Sequence, residues 1–190
     1  MSGISALAVV VIVASNRPGR IGGRVAAWLI DQLGRRDDMT VDVIDLIDVE
    51  LPPTLAAEPD DTVRAHCVRL DAADAFVVVT PEYNHGYPAQ LKQAIDVARS
   101  EWFAKPVAFV GYGGQAGGMR AVEQLRQVFA ELHATTIREV VGFHGVHHQF
   151  QDGVLAEPDR AEQAAKAMLD QLAWWATALR DARAARPYLA

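Results

Sequence analysis

Apolar residues run along this chain in two alternating rhythms. Residues 6–14, ALAVVVIVA, form a near-continuous Val/Ile/Ala run, as expected of a parallel strand covered on both faces. Over residues 21–33, Val25, Leu29 and Leu33 recur every four positions, which is a helical stripe. VDVIDLID at 41–48 sets acids between Val41, Val43 and Leu46, the mark of a strand nearer an edge, and Pro52 and Pro53 then break the pattern. Asp60 or Asp61 is placed to cap a helix running to about residue 72, with Val63, Cys67 and Leu70 on one side.

The second half repeats the scheme. AFVVVT (75–80) is a second fully buried strand, Pro88 suits the first turn of a helix carrying Leu91, Ile95 and Ala98, and KPVAFVGY (105–112) is a further strand. Gly117 and Gly118 precede a helix with Val122, Leu125 and Phe129 in a stripe, and TTIREVV (135–141) is a short fifth strand. The last helix, 158–183, carries Met168, Leu172, Trp175 and Leu179. Strands that alternate with helices imply right-handed crossovers on a parallel sheet. Five of them predict an α/β fold, a flavodoxin-like doubly wound five-stranded parallel sheet of order 2-1-3-4-5 with helices on both faces. Such sheets bind ligands beyond the carboxyl ends of their strands, which directs attention to the loops after residues 14, 80 and 112.

Composition narrows the setting. A chain of 190 residues with no linker, repeat or charge run is expected to form a single domain over 1–190. The 18 basic and 24 acidic residues leave a net charge of −6, which argues against nucleic acid as a partner. The single cysteine, Cys67, excludes an intrachain disulfide framework and fits a cytoplasmic setting. The run ISALAVVVIVA (4–14) lacks the positive flank of a signal peptide and falls short of the ~20 residues a membrane-spanning helix needs. It reads as a buried strand, and no membrane partner is expected.

Three loops carry the candidate chemistry. SNRPGRIGGR (15–24) leads into a helix whose first N–H groups lack intrahelical partners, a setting that favours a phosphate. Ser15 offers a hydroxyl and Arg17 and Arg20 guanidinium forks, while Gly19, Gly22 and Gly23 allow close backbone approach. The loop lacks Gly-Lys-Ser/Thr and Gly-x-Gly-x-x-Gly, although Asp42 and Asp45 on the second strand can imitate a ribose-binding acid. In PEYN, at the tip of the third strand, Pro81 fixes a turn, Tyr83 presents a flat apolar surface, and Asn84 and backbone amides offer donors suited to a planar heteroaromatic ring. YGGQAGG (112–118) bares backbone on the far side of the same pocket. His85 and Tyr87 either line an acceptor pocket or pack the loop. His144, His147 and His148 lack the paired acid or Cys spacing of a metal site, so no metal is expected; a loop near the ligand or a subunit contact accounts for them.

The segments ASNRPGRIGGRVAAWL, ADAFVVVTPEYNHGYPAQLKQAID and PVAFVGYGGQAGGMRAVEQLR, above all PEYN followed by LKxAID, resemble the NAD(P)H-dependent FMN reductases of flavodoxin-like fold, which include quinone and azo-compound reductases. The resemblance implies FMN as cofactor and NADPH or NADH as electron donor. It implies that Ser15, Arg17, Arg20, Ile21, Gly22 and Gly23 hold the FMN phosphate, that Pro81, Glu82, Tyr83 and Asn84 face the isoalloxazine, and that Tyr112, Gly113 and Gly114 border its other side. Many members of that family carry Ser where this chain has Arg20 and Asn where it has Gly22; Arg20 is expected to substitute electrostatically. No protein acid or base need serve as catalyst, because the flavin carries the chemistry. The acceptor is expected to be a small molecule, whether free flavin, quinone, azo compound, metal oxyanion or dioxygen. The resemblance further implies a homodimer or homotetramer, with Trp102 placed to meet a partner subunit. A flavodoxin-like electron carrier and a non-enzymatic assembly or regulatory protein are the alternatives.

Overall fold

The structure, a computed structural model, describes residues 5–151 and 154–189. Ile4, the first residue of the opening apolar run, lies outside the described residues. Strands β1 (Leu7–Val13), β2 (Met39–Asp45), β3 (Ala75–Pro81), β4 (Pro106–Gly113) and β5 (Thr135–His144) form one parallel sheet of order β2-β1-β3-β4-β5. Helices α1 (Gly22–Gly34), α2 (Asp61–Asp71), α3 (Ala89–Asp96) and α4 (Met119–Glu131) make the crossovers, and the long C-terminal helix, α6 (Pro158–Ala185), follows a short helix, α5 (Val146–Gln149).

The unbroken apolar strands follow from burial on both faces. Val9, Val11 and Val13 of β1 join Val77, Val110, Val25 and Leu29 of α1, and Met168 and Leu172 of α6 in one core layer. Val10 and Ile12 point the other way, into a layer with Phe76, Val78, Phe109, Leu70 of α2, Leu91 and Ile95 of α3, and Leu125 and Phe129 of α4. Alternation along the strand therefore divides one kind of residue between two cores, so the sequence shows a run rather than a period of two.

Register aligns the strand ends. Val13 pairs with Asp45 on one side and Val79 on the other, Pro81 with Tyr112, and Tyr112 with Phe143. The loops after β1, β3, β4 and β5 thus leave from one rim, on either side of the β1/β3 switch point.

Some local features depart from the sequence reading. β5 continues to His144 instead of ending near residue 141, and its register against β4 shifts between Val107 and Phe109. The hairpin of β6 (Phe150–Gln151) and β7 (Val154–Leu155), with α5 before it, had no signal, because elements this short hold less than one period of any pattern. Trp102 is no partner contact. It is wholly buried among Phe76 and Phe129, and its Nε1 donates to the Ile95 carbonyl at 3.1 Å, so its size serves the core. No helix among the described residues is long and apolar enough to cross a membrane.

Candidate active site

The first loop is held from inside. The Arg20 guanidinium pairs with both carboxylate oxygens of Asp45 at the end of β2 and donates to the Ser15 carbonyl at 2.7 Å. Asp45, by hydrogen bond and charge, raises the Arg20 pKa above its ordinary value against the opposing effect of burial. Arg20 therefore ties the loop to β2, and its charge is already matched. α1 begins at Gly22, and the N–H groups of Ile21, Gly22 and Gly23 have no intrahelical acceptor. Ser15 stands beneath this turn, 1% exposed, with a hydroxyl that has no partner among the described residues.

Arg17 reaches the second loop. Its guanidinium carbon lies 3.8 Å from the centroid of the Tyr83 ring, a stacking contact that joins the loops after β1 and β3. Burial raises the Tyr83 pKa, while Arg17 and Arg20 draw it the other way. Tyr83 and Gly86 exchange backbone hydrogen bonds of 2.8 and 3.0 Å around Asn84 and His85. Asn84 and His85 both have positive φ, 51° and 70°, as a tight hairpin turn of the mirror-image type requires. Both are exposed at the tip of PEYN.

Glu82 joins the second loop to the third. Its amide donates to the Tyr112 carbonyl at 3.1 Å, and its carboxylate accepts from the backbone N–H of Arg120 at 3.2 Å and from the Arg120 guanidinium at 2.9 Å. An acid at the first turn of α4 also meets the positive end of that helix. Gln124 of α4 donates to the His85 carbonyl at 2.9 Å and fixes the turn from the same side.

In the third loop, Gly114 is exposed and its carbonyl accepts from Gly145 N–H at 2.7 Å. Tyr112 is placed differently from the ring-bordering role the resemblance implies for it. Its backbone stands at the rim beside Pro81, but its side chain turns toward the first turn of α1, into the layer that holds Val25 and Leu29. Its hydroxyl lies beside Ser15 and likewise makes no hydrogen bond of normal geometry among the described residues; burial drives its pKa well above the ordinary tyrosine value, with the Ser15 hydroxyl pulling the other way. The backward-pointing phenol was hidden from sequence reasoning because Tyr112 sits between glycines that suggested a bare loop. His144 packs its ring against Gly117, with Nδ1 3.0 Å from the Gln115 carbonyl, which accounts for one member of the histidine cluster as a wall of the third loop. Glu82 as the brace to α4, and Arg120 with it, had no signal in the sequence beyond their polarity.

A phosphorylated flat ligand fits this donor set. Two buried hydroxyls and the open amides of α1 gather at one end, and Tyr83 follows the end of β3, the neighbour of β1, while Gly113 and Gly114 stand at the end of β4, the next strand along.

Comparison with known proteins agrees. A family model described as NADPH-dependent FMN reductase matches residues 7–148. An NAD(P)H-dependent FMN reductase of Schizosaccharomyces pombe is 36% identical over 132 residues, 63% of this chain and 64% of that protein. One of Saccharomyces cerevisiae is 32% identical over 147 residues, 67% of this chain and 75% of the other. An NADPH azoreductase of a Bacillus species is 30% identical over 152 residues, 77% of this chain and 82% of the other. Among solved structures, the flavoenzyme NAD(P)H:(acceptor) oxidoreductase FerB of Paracoccus denitrificans superposes with a TM-score of 0.72 over 91% of this chain and 98% of its own, at 20% identity, and so shares the fold. With the rim loops, the family match and the fold in agreement, the chain belongs to the NADPH-dependent FMN reductase family, as an oxidoreductase that uses FMN and NAD(P)H.

Proposed function

We propose that the chain works as a single domain, residues 1–190, that seats FMN across the three loops and reduces a small-molecule acceptor such as free flavin, a quinone or an azo compound. The observation that carries this reading is the physical joining of the loops: Arg17 of the first stacks on Tyr83 of the second, and Glu82 of the second is bonded to Tyr112 and to Arg120 beyond the third. When bound, FMN supplies a ring that accepts hydride from the nicotinamide and gives electrons to the acceptor.

The chain's own residues then have binding and orienting work. Ser15, Arg17 and the amides of Ile21, Gly22 and Gly23 take the phosphate, with Arg20 fixing the loop from behind. Pro81, Glu82, Tyr83 and Asn84 face the ring, and Gly113 and Gly114 lie on its other side, where amides placed near a ring carbonyl favour the charge it gains on reduction. Since the Glu82 carboxylate is committed to Arg120 and the start of α4, it braces the turn and leaves donation toward the ring to backbone N–H groups.

We extend the reading to a cytoplasmic homodimer or homotetramer. The single cysteine, Cys67, suits a reducing compartment, and the 65% exposed Trp174 beside Trp175 suits a subunit contact. Sedimentation as a monomer at micromolar concentration removes the oligomer.

Anaerobic spectroscopy tests the activity. The purified chain loaded with FMN should absorb in the blue and bleach on addition of NADH or NADPH, then recover its colour with a quinone or azo dye. A yellow protein that neither nucleotide bleaches is a carrier; a chain that takes up no flavin has an assembly or regulatory role.

A further inference from the structure

Two buried hydroxyls at the rim lack the partners that buried polar groups normally have. Ser15 is 1% and Tyr112 3% exposed; the Ser15 hydroxyl faces that of Tyr112 closely enough to pull the tyrosine pKa back down against burial, yet neither makes a hydrogen bond of normal geometry among the described residues. They meet under the first residue of α1. A Cβ added to Gly22 would fall 2.1 Å from Ser15 Oγ and 2.3 Å from the Tyr112 hydroxyl, so the missing side chain at position 22 is what lets a phenol from β4 reach this helix.

Of the charges near this turn, Arg20 and Arg17 are already engaged, while Arg24, the third residue of α1, is exposed. Arg20 is bound to Asp45 and to the Ser15 carbonyl, and the plane of Arg17 rests on Tyr83. Neutral donors outnumber charged ones at the first turn of α1: the open N–H groups of Ile21, Gly22 and Gly23, and two hydroxyls, beside the exposed Arg24. We propose that Tyr112 reads the phosphate end of the flavin rather than its ring, its hydroxyl donating together with that of Ser15 to the phosphate monoester at the N-terminus of α1. Arg20 is then a positioning residue, which holds Ser15 in place through its carbonyl. The inference rests on the FMN reading above and adds to it a specificity determinant for FMN over riboflavin, which lacks the phosphate.

Tyr112→Phe, which keeps the ring and removes only the hydroxyl, tests this through binding rather than turnover. The full chain, stripped of flavin, is titrated with FMN and with riboflavin by quenching of flavin fluorescence. Loss of one hydrogen bond to a charged group should weaken FMN about tenfold and leave riboflavin unchanged. Inorganic phosphate should displace FMN less sharply from the variant than from the parent, and Ser15→Ala should act in the same direction. Because the hydroxyl makes no hydrogen bond of normal geometry among the described residues, the melting temperature of the flavin-free variant should equal or exceed that of the parent. Equal weakening of both flavins, unchanged FMN affinity, or a clearly lower melting temperature without flavin each overturns the proposal, the last by showing a structural role. Uptake of neither flavin by the parent chain removes the FMN reading itself, a result distinct from all of these.

Discussion

Gly118 has φ of +85°, and a Cβ there would stand 2.4 Å from the Tyr112 amide nitrogen, so the backbone of the third loop folds down onto β4 only because this residue has no side chain. Gly118→Ala should cost about 1–3 kcal/mol in urea unfolding and weaken FMN and riboflavin together, since it displaces the strand end that both require. Arg17 allows a sharper test. Arg17→Lys keeps the charge but loses the flat face on Tyr83, so riboflavin, which has no phosphate to attract the charge, should weaken along with FMN, by a few-fold, in fluorescence titrations. At this scale the sequence disclosed which residues gather at the rim but not their directions. Ser15 and Arg17 could be named from a polar loop before a helix, whereas the inward turn of Tyr112 depends on the space left at Gly22, and the pairing of Arg20 with Asp45 depends on a strand neighbour 25 residues away.

Among the elements, legibility tracked the length and depth of burial. β1, β3 and β4 are apolar on both faces and were evident as runs; α1 and α4 each bury one stripe and were evident from their spacing. β5 is an edge strand with polar residues between its buried ones, and its last residues reach the rim only by pairing with Gly111, Tyr112 and Gly113, a long-range contact that no local pattern encodes. Of the two candidate caps for α2, Asp60 is the one used: Oδ1 accepts from Val63 N–H at 2.8 Å, while Asp61 is the first helical residue. Asp60→Ala should therefore lower stability by about 1 kcal/mol in chemical denaturation, and Asp61→Ala by less. Neither change should alter flavin affinity, because α2 packs at some remove from the three loops and touches the layer around Leu70.

For the whole molecule, two buried bases contribute to the response to pH. Lys105 is 5% exposed and donates to the carbonyls of Leu70 and Asp71 at 3.0 and 2.8 Å; burial lowers its pKa from 10.5 to about 8. Because the folded value lies below the unfolded one, the unfolded chain holds the extra proton between them. The Lys105 contribution to stability should rise as pH climbs from about 8 toward 10.5, by up to about 3 kcal/mol, against the opposite contributions of Cys67, Tyr83 and Tyr112, whose pKa values are raised, and Lys105→Met should remove the rising part from denaturation curves taken across the window. His66, buried with Nε2 3.0 Å from the Ala94 carbonyl, also has its pKa lowered chiefly by burial, so stability should decline as pH falls below 6.5 and the unfolded chain takes up a proton that the folded one resists. The aligned register of the central strands has a last consequence. Three grips on one ligand depend on neighbouring strands keeping their places, and a slip of one residue in any of them reverses its side chains between the two cores. Half-folded forms should thus have no graded affinity for pigment: in rising denaturant, the yellow should leave the protein in the same step that erases its helical signal.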